Sequence, residues 1–329
     1  GLRWQELFTG ADSLLVDDTG MISSAGSLLG DFWDPSPQKR RSMLFPFIWE
    51  VIAKEGQLYG NRAFGNLVDN QNTMWFSYPG YNELLSGFAD DERIVSNDKI
   101  PNPNITFLEY LNRMPDYEGK VMAFGSWDVF PSIINESRSG VPVNAGFDLA
   151  EGENLTEREK MINRLQREIR GPWGSVRLDL FTHHFALESL KKHRPKVLYI
   201  AYGETDDWAH GGKYDEYLWS ARQTDSYIRE IWEWVQEDPQ YAGKTTLILT
   251  TDHGRGTNKS SWKSHGSSVP DAGEIWMMAI GPDSPALGEL KTKGQWSSAM
   301  LPRTIFRLLG LEYPDSKAAP VILEMLGEN

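Results

Sequence analysis

The sequence predicts an α/β fold in which a doubly wound, mainly parallel sheet is flanked by helices. Three observations predict it. Short apolar runs rich in β-branched residues, such as Thr245–Thr251, are bounded by glycine and have the length of buried strands. Segments with the helical spacing of apolar residues alternate with these runs through residues 196–310. Polar clusters follow the runs, at the end of the strands where open α/β sheets place their ligand sites.

The composition excludes several classes of protein. The net charge of -13 argues against a nucleic-acid-binding surface, which needs a basic stripe. No apolar run approaches the roughly 20 residues that span a bilayer. With no cysteine, the chain can hold a metal only through Asp, Glu and His. We expect residues 1–329 to form a single domain with an insertion at about 148–174, where charged residues are interleaved.

In the first third of the chain, apolar spacing predicts a helix over Ser42–Lys54. A second helix follows Ser77, because Pro79 suits the first helical turn and Gly87 suits the end. Ser77 then lies at a helix N-terminus, which favours an anion such as phosphate. Taken alone, this pattern more often marks an ordinary serine near an N-cap.

The middle of the chain is predicted to form a strand, Lys120–Phe124, and two helices. The first helix is charged and capped by Thr156, with Glu159 three residues later as in a capping box. The second is amphipathic and spans Ser175–His193. We interpret its three histidines as ordinary surface or packing residues: His183, His184 and His193.

The last third alternates strands and helices. A strand is predicted at Lys196–Tyr202, a long helix at Tyr214–Gln236 and the strand Thr245–Thr251 after it. A further strand covers Glu274–Ile280, and a closing helix spans about Trp296–Leu309.

Three of the six histidines stand beside glycine in the polar segments of this last third. Asp206 and His210 are four residues apart, so one helical turn would place them on the same face. Asp252 and His253 directly follow the strand Thr245–Thr251, and His265 lies in the next loop. Imidazoles and carboxylates without thiolates suit zinc, or manganese with more oxygen ligands. Each segment alone could be a polar turn, but their recurrence predicts a metal site.

The order of these segments is similar to that of the alkaline phosphatase superfamily. The chain most resembles the type I phosphodiesterase and nucleotide pyrophosphatase branch, together with related bacterial metal-dependent hydrolases. The resemblance implies an alkaline-phosphatase-like sheet carrying two divalent metal ions, zinc first, with manganese or magnesium as alternatives. It implies that one ion is held by Asp206, His210 and His265, and the other by Asp252, His253 and Ser77.

The segment from Ser77 through Pro79 to Ser86 and Gly87 resembles the nucleophile segment of that family. The resemblance therefore implies that Ser77 is the nucleophile, and Ser86 with Gly87 fixes the register. Asn102 and Asn104 are weak candidates for holding the phosphoryl group, suggested by their position alone.

The first residues, Gly1–Trp4, resemble those that follow a metal-binding Asp at the end of the family's first strand. The resemblance implies an Asp immediately before Gly1 and a strand before that, so that Gly1 is expected to lie partway into the domain.

As function, the resemblance implies metal-dependent hydrolysis of a small-molecule phosphate ester, as a phosphodiesterase or phosphatase, through a covalent phosphoseryl enzyme. Family tendency implies a periplasmic or secreted protein. A sulfatase is the first alternative, but Tyr81 stands where the sulfatase motif has Arg. A phosphomutase of the superfamily is the second, although no cap domain is recognisable. A catalytically impaired homologue that binds an anion or glycan is the third.

Overall fold

The computed structural model of the protein describes residues 1–16, 20–22 and 25–327. The chain forms two compact units. Unit 1 consists of Gly1–Val95 and Trp208–Asn329, and unit 2 consists of Ser96–Asp207. The single domain expected for residues 1–329 stays a prediction.

The described residues form strands β1 (Gln57–Tyr59), β2 (Asn66–Asp69), β3 (Val121–Gly125), β4 (Val143–Ala145), β5 (Val197–Ala201), β6 (Leu247–Thr250), β7 (Glu274–Ile275), β8 (Met277–Ile280), β9 (Gly288–Glu289) and β10 (Gly294–Ser297).

The α-helices of the same residues are α1 (Trp4–Thr9), α2 (Ala25–Phe32), α3 (Pro37–Leu44), α4 (Ala53–Glu55), α5 (Ser77–Ser86), α6 (Phe107–Asn112), α7 (Phe130–Ile133), α8 (Glu136–Ser139), α9 (Glu157–Glu168), α10 (Asp179–His193), α11 (Glu204–His210), α12 (Tyr214–Glu237), α13 (Leu301–Leu308) and α14 (Leu323–Leu326). A π-helix covers Ile48–Ile52, and 3₁₀ turns cover Arg62–Phe64 and Ser298–Met300. Among the described residues, no helix is both long and apolar enough to cross a membrane.

Unit 1 contains two mixed sheets. One has the strand order β6-β8-β1-β9, and the other has the order β10-β2-β7. β8 runs antiparallel to both β6 and β1, whereas β1 runs parallel to β9. The prediction of one mainly parallel sheet was therefore wrong for this unit. The physical reason lies in the connection between β6 and β7, residues 251–273, which contains no helix. Two parallel neighbouring strands need a crossover connection between them, and this is usually a helix.

The sheet of unit 2 is fully parallel, as the sequence predicted. Its order is β4-β3-β5, and α10 packs against it. Helix α9 lies in the expected insertion and begins with the predicted capping box between Thr156 and Glu159. A small apolar core joins these elements: Phe124, Ile162, Phe181, Phe185 and Ala186.

β8 lies between two apolar cores of unit 1. Met278 and Ile280 belong to one core, and Met277 and Ala279 belong to the other. Since neighbouring side chains of a strand point to opposite faces, β8 is covered on both sides, which explains its unbroken apolar sequence. Trp276 separates β7 from β8, so the predicted strand Glu274–Ile280 passes from one sheet to the other.

One predicted helix is interrupted. Ser42–Lys54 was expected to be continuous, but α3 ends at Leu44 and the π-helix begins at Ile48. Pro46 explains the break, because the residue before a proline is driven away from the helical region. Phe45 accordingly has φ -129° and ψ 68°. The long strand and helix predictions around the polar segments are confirmed within a few residues.

Candidate metal centre

The segment after β6 is buried and anchored by hydrogen bonds. Asp252 and His253 are both buried. Thr251 donates its hydroxyl to Asp252 Oδ1 at 3.3 Å, and Asn70 donates its side-chain amide to the Asp252 carbonyl oxygen at 3.0 Å. The end of β6 therefore holds an acidic and an imidazole side chain in a fixed position, as the sequence predicted.

In two histidines of unit 1, Nδ1 faces a backbone carbonyl oxygen. His253 Nδ1 lies 2.8 Å from the Gly254 carbonyl oxygen, and His265 Nδ1 lies 3.2 Å from the Trp75 carbonyl oxygen. Because a carbonyl can only accept, Nδ1 carries a proton in both rings, and in the neutral imidazole Nε2 then carries the lone pair. Histidines that bind metals are oriented in this way by a backbone carbonyl or carboxylate.

The Nε2 atoms converge on one another and on a carboxylate. His265 Nε2 lies 2.9 Å from His210 Nε2, and the rings of His253 and His265 are 3.8 Å apart between centroids. His253 Nε2 lies 3.3 Å from Asp252 Oδ2. A lone pair and a carboxylate oxygen repel each other unless a proton or a cation lies between them. Three imidazoles and a carboxylate without thiolates are a set of ligands that fits a divalent ion such as zinc.

Ser77 is the first residue of α5, and its side chain is half-buried. Its Oγ lies 3.4 Å from His253 Nε2, so the hydroxyl can donate to that nitrogen. The first-turn amides of α5 point towards the start of the helix, where an anion is favoured. α5 approaches the Asp252 backbone closely at Gly80, since a Cβ there would lie 2.2 Å from the Asp252 carbonyl oxygen.

A buried glutamate that sequence reasoning missed supports the loop before Ser77. Glu83, in α5, accepts from the backbone N–H groups of Gln71 and Asn72 and from the Ser298 hydroxyl at 2.7 Å. Burial raises the pKa of Glu83, and these hydrogen bonds lower it. The signal available in the sequence was an acidic residue directly before two leucines, Leu84 and Leu85, in a predicted helix.

The loop held by Glu83 leads to Trp75. Asn72 Oδ1 accepts from the Trp75 backbone N–H at 3.0 Å, and Trp75 has a left-handed backbone with φ 51°. The indole of Trp75 packs against Gly273, where a Cβ would lie 2.6 Å from its Nε1. Because the Trp75 carbonyl oxygen orients His265, this unusual backbone conformation contributes directly to the site.

Asp206 and His210 lie on α11, one helical turn apart, as the spacing predicted. The helix begins in unit 2 and ends in unit 1. Two histidines of α10 have local partners: His183 Nδ1 lies 3.1 Å from the Tyr202 hydroxyl, and His184 Nδ1 lies 3.1 Å from an Arg158 guanidinium nitrogen.

Asn102 and Asn104 lie in a buried loop of unit 2. The Asn102 amide donates to the Ile133 carbonyl oxygen at 3.0 Å, and its side-chain oxygen accepts from the Asn104 backbone N–H at 2.9 Å. These contacts favour a structural role for Asn102, and phosphate binding by the pair stays a prediction. The Asp expected before Gly1 also stays a prediction; the Gly1 nitrogen itself lies 3.6 Å from Asp252 Oδ1.

Comparison with known proteins agrees with the family that the sequence resembles. The model of the family described as type I phosphodiesterase / nucleotide pyrophosphatase matches residues 30–295. The human protein named GPI ethanolamine phosphate transferase 1 is 25% identical over 231 residues, which is 68% of this chain and 22% of the relative. The chain thus spans about a fifth of the length of the curated relatives that it matches.

Solved structures show the same fold at low identity. The alkaline phosphatase PafA aligns with a TM-score of 0.61 and 10% identity, covering 99% of this chain and 97% of that one. The phosphonate monoester hydrolase of Silicibacter pomeroyi aligns with a TM-score of 0.57 and 13% identity, covering 87% and 72%. Both comparisons show an α/β fold that matches members of the alkaline phosphatase superfamily.

Proposed function

The chain belongs to the type I phosphodiesterase / nucleotide pyrophosphatase family of the alkaline phosphatase superfamily, and from that membership we propose a metal-dependent hydrolase with Ser77 as its nucleophile. Members of this superfamily of hydrolases and transferases act on phosphate esters. The proposed substrate is a small-molecule phosphate ester, and the proposed cofactors are two divalent cations, zinc first.

The observation that carries the proposal is the position of Ser77. A hydroxyl at the first turn of α5 lies 3.4 Å from an imidazole nitrogen whose proton is held on the opposite side of the ring. That nitrogen faces Asp252, in a cluster whose ligands suit zinc. An ordinary N-cap serine would need neither the imidazole nor the carboxylate beside it.

We assign the ligands from this geometry and from the spacing on α11. Asp252, His253 and Ser77 would hold one ion. His210 and His265 would hold the other, with Asp206 one helical turn before His210. When bound, such ions supply a positive charge that stabilises phosphoryl oxygens and favours ionisation of a coordinated hydroxyl.

The residues of the chain would then act in two steps. Ser77 loses its proton to solvent, and its Oγ forms a bond to phosphorus as the bond from phosphorus to the leaving alcohol oxygen breaks. The departing oxygen takes a proton from water. A water molecule next attacks phosphorus and loses a proton to solvent. The bond from phosphorus to Ser77 Oγ breaks, Ser77 Oγ takes up a proton from solvent, and phosphate or a phosphate monoester leaves. First-turn amides of α5 would donate to the phosphoryl oxygens throughout.

The test uses the zinc-loaded protein with a chromogenic phosphate monoester and a chromogenic diester, and a sulfate ester for the sulfatase alternative. We expect turnover of a phosphate ester. Ser77→Ala should abolish turnover, while the Asp and His ligands keep both ions bound. Absence of turnover of both phosphate esters by fully metallated protein would exclude the hydrolase and favour the anion-binding alternative.

A second candidate is transfer of a substituted phosphoryl group to an alcohol. It is favoured by the 25% identity with a protein named as an ethanolamine phosphate transferase. The chemistry differs only in the second step, where an alcohol replaces water. Product analysis with an added acceptor alcohol separates the two, because a transferase yields a new phosphodiester at the expense of the hydrolysis product.

A further inference from the structure

Helices α10 and α11 cap each other's N-termini. α10 begins at Asp179, and α11 begins at Glu204. The Asp179 carboxylate accepts from the backbone N–H groups of Gly203 at 2.7 Å and Glu204 at 3.0 Å. In return, Glu204 Oε1 accepts from the Asp179 backbone N–H at 2.7 Å. We name this reciprocal pair the Asp179–Glu204 clasp. It satisfies amides that helix starts otherwise leave without an intrahelical partner.

Asp179 is buried, Glu204 is half-buried, and the clasp continues into a chain of hydroxyl groups. Ser126 donates to Asp179 Oδ1 at 2.5 Å and lies 2.7 Å from the Thr182 hydroxyl, which accepts from Arg177 Nε at 2.8 Å. Burial, and then the Glu204 charge, raise the pKa of Asp179 to about 7, whereas the three donors lower it. Removing one partner of such a network leaves a buried polar group unsatisfied, so the network strongly favours a single arrangement.

The element that the clasp fixes is the helix that carries Asp206 and His210. α11 has only seven residues, about two turns, and its first residue is Glu204. A helix this short has little intrinsic stability, so its direction depends on contacts at its ends. Asp206 is two residues and His210 six residues beyond the clasp.

We propose that Asp179 and Glu204 are positioning residues, which orient α11 and thereby set the affinity for the divalent cation held through Asp206 and His210. This inference rests on the proposed function, because it takes these two side chains as metal ligands. Residues that orient ligands in this way typically change metal affinity by about 10- to 100-fold when they are replaced.

The experiment measures zinc affinity by competition with a chromophoric chelator, with the full chain. Glu204→Ala should weaken zinc binding by about 10- to 100-fold. Glu204→Gln should keep most of the affinity, because the clasp needs one acceptor oxygen from this side chain. Asp179→Ala should also lose zinc affinity, and Asp179→Asn should not restore it. Asp179 accepts hydrogen bonds through both oxygens, so the NH₂ group of asparagine would face a hydrogen-bond donor.

Asp225→Ala is the matched control. The Asp225 carboxylate is also buried and accepts from two backbone N–H groups, those of Phe47 at 2.9 Å and Ile48 at 3.0 Å, but it caps no part of α11. Its loss should lower the melting temperature and leave zinc affinity unchanged. If an Asp179 variant does not fold, the pair Glu204→Ala and Glu204→Gln decides.

The outcomes separate the inference from the proposed function. Three results would overturn the positioning role and leave the hydrolase intact. Zinc affinity could be at the wild-type level in Glu204→Ala, or it could fall equally in Glu204→Ala and Glu204→Gln. It could also fall in Asp225→Ala by as much as in Glu204→Ala. A wild-type protein that binds no zinc and turns over no phosphate ester would overturn both. The cobalt(II) absorption spectrum gives an independent readout, because a displaced ligand alters it even where affinity is partly retained.

Discussion

Replacing Gly80 with alanine tests whether the contact between α5 and the segment after β6 sets catalytic geometry. Gly80 lies one turn after Ser77 in the helix. An added Cβ would lie 2.2 Å from the carbonyl oxygen of Asp252 and 2.9 Å from its carbonyl carbon, and real Cβ atoms essentially never approach below 3.0 Å. The obstacle is backbone, which cannot rotate away as the end of a side chain can.

The size of the effect follows from that distance. Opening the contact from 2.2 to 3.0 Å needs a shift of about 0.8 Å between α5 and Asp252. The same shift displaces Ser77 relative to His253, and Ser77 Oγ lies 3.4 Å from His253 Nε2. A misplacement of about 1 Å can cost about 100-fold in rate. We therefore expect kcat/KM for a chromogenic phosphate ester to fall about 100-fold in Gly80→Ala, which corresponds to about 2.7 kcal/mol.

The control is Gly30→Ala, in α2, because a Cβ at Gly30 would meet no atom within 4 Å. This change should leave kcat/KM unchanged and raise the unfolding free energy by about 0.5 to 1 kcal/mol, as alanine does in an open helical position. Metal content is measured beside activity. A Gly80→Ala protein with full metal content and wild-type kcat/KM would refute the assignment of the catalytic geometry to this contact.

Three further predictions concern stability. Burial raises the pKa of Asp225 from 3.8 to about 6, so the folded protein holds this proton more tightly than the unfolded chain does. The resulting stability, on the order of 3 kcal/mol, is fully present below pH 4 and is lost as the pH rises through 6. The unfolding free energy is measured by chemical denaturation at pH 4 and pH 7, and Asp225→Asn should remove this part of its change between the two pH values. An equal change in Asp225→Asn and in the wild type would contradict the assignment. Thr156→Ala should lower the unfolding free energy by about 1 kcal/mol through loss of the α9 cap, and Thr156→Ser should restore it in the same measurement. Chelation should lower the melting temperature and added zinc should restore it, since an ion at 1,000 times its Kd stabilises by about 4 kcal/mol; a chelator-insensitive melting temperature would speak against a bound ion.

Local patterns in the sequence were sufficient for the elements that carry the site. The apolar run before Asp252 predicted β6, and the glycine and proline around Ser77 predicted α5. The spacing of Asp206 and His210 predicted their common helix. These features depend on neighbours a few residues apart, which is the range over which periodicity and capping act.

Features set by distant partners were not predictable in this way. Apolar periodicity reports that a strand is buried but not the direction of its neighbour, so the antiparallel pairing of β8 with β6 was missed. Glu83 is 12 residues from Gln71 and 11 residues from Asn72, whose backbone N–H groups it holds, and Asp179 is 25 residues from Glu204. No local pattern distinguishes such a buried carboxylate from a surface one; only its hydrogen-bond donors, known from the structure, do so.

The packing of Trp75 on Gly273 restricts the order in which this site can change during evolution. A side chain at position 273 collides with the indole, so any larger residue there is harmful while Trp75 is present. A smaller residue at position 75 removes that collision but leaves a gap over bare backbone. Each change alone is unfavourable and the two together compensate, which is a pairwise dependence of the kind that double-mutant cycles measure. A library that varies one position at a time would therefore miss variants in which both residues are replaced.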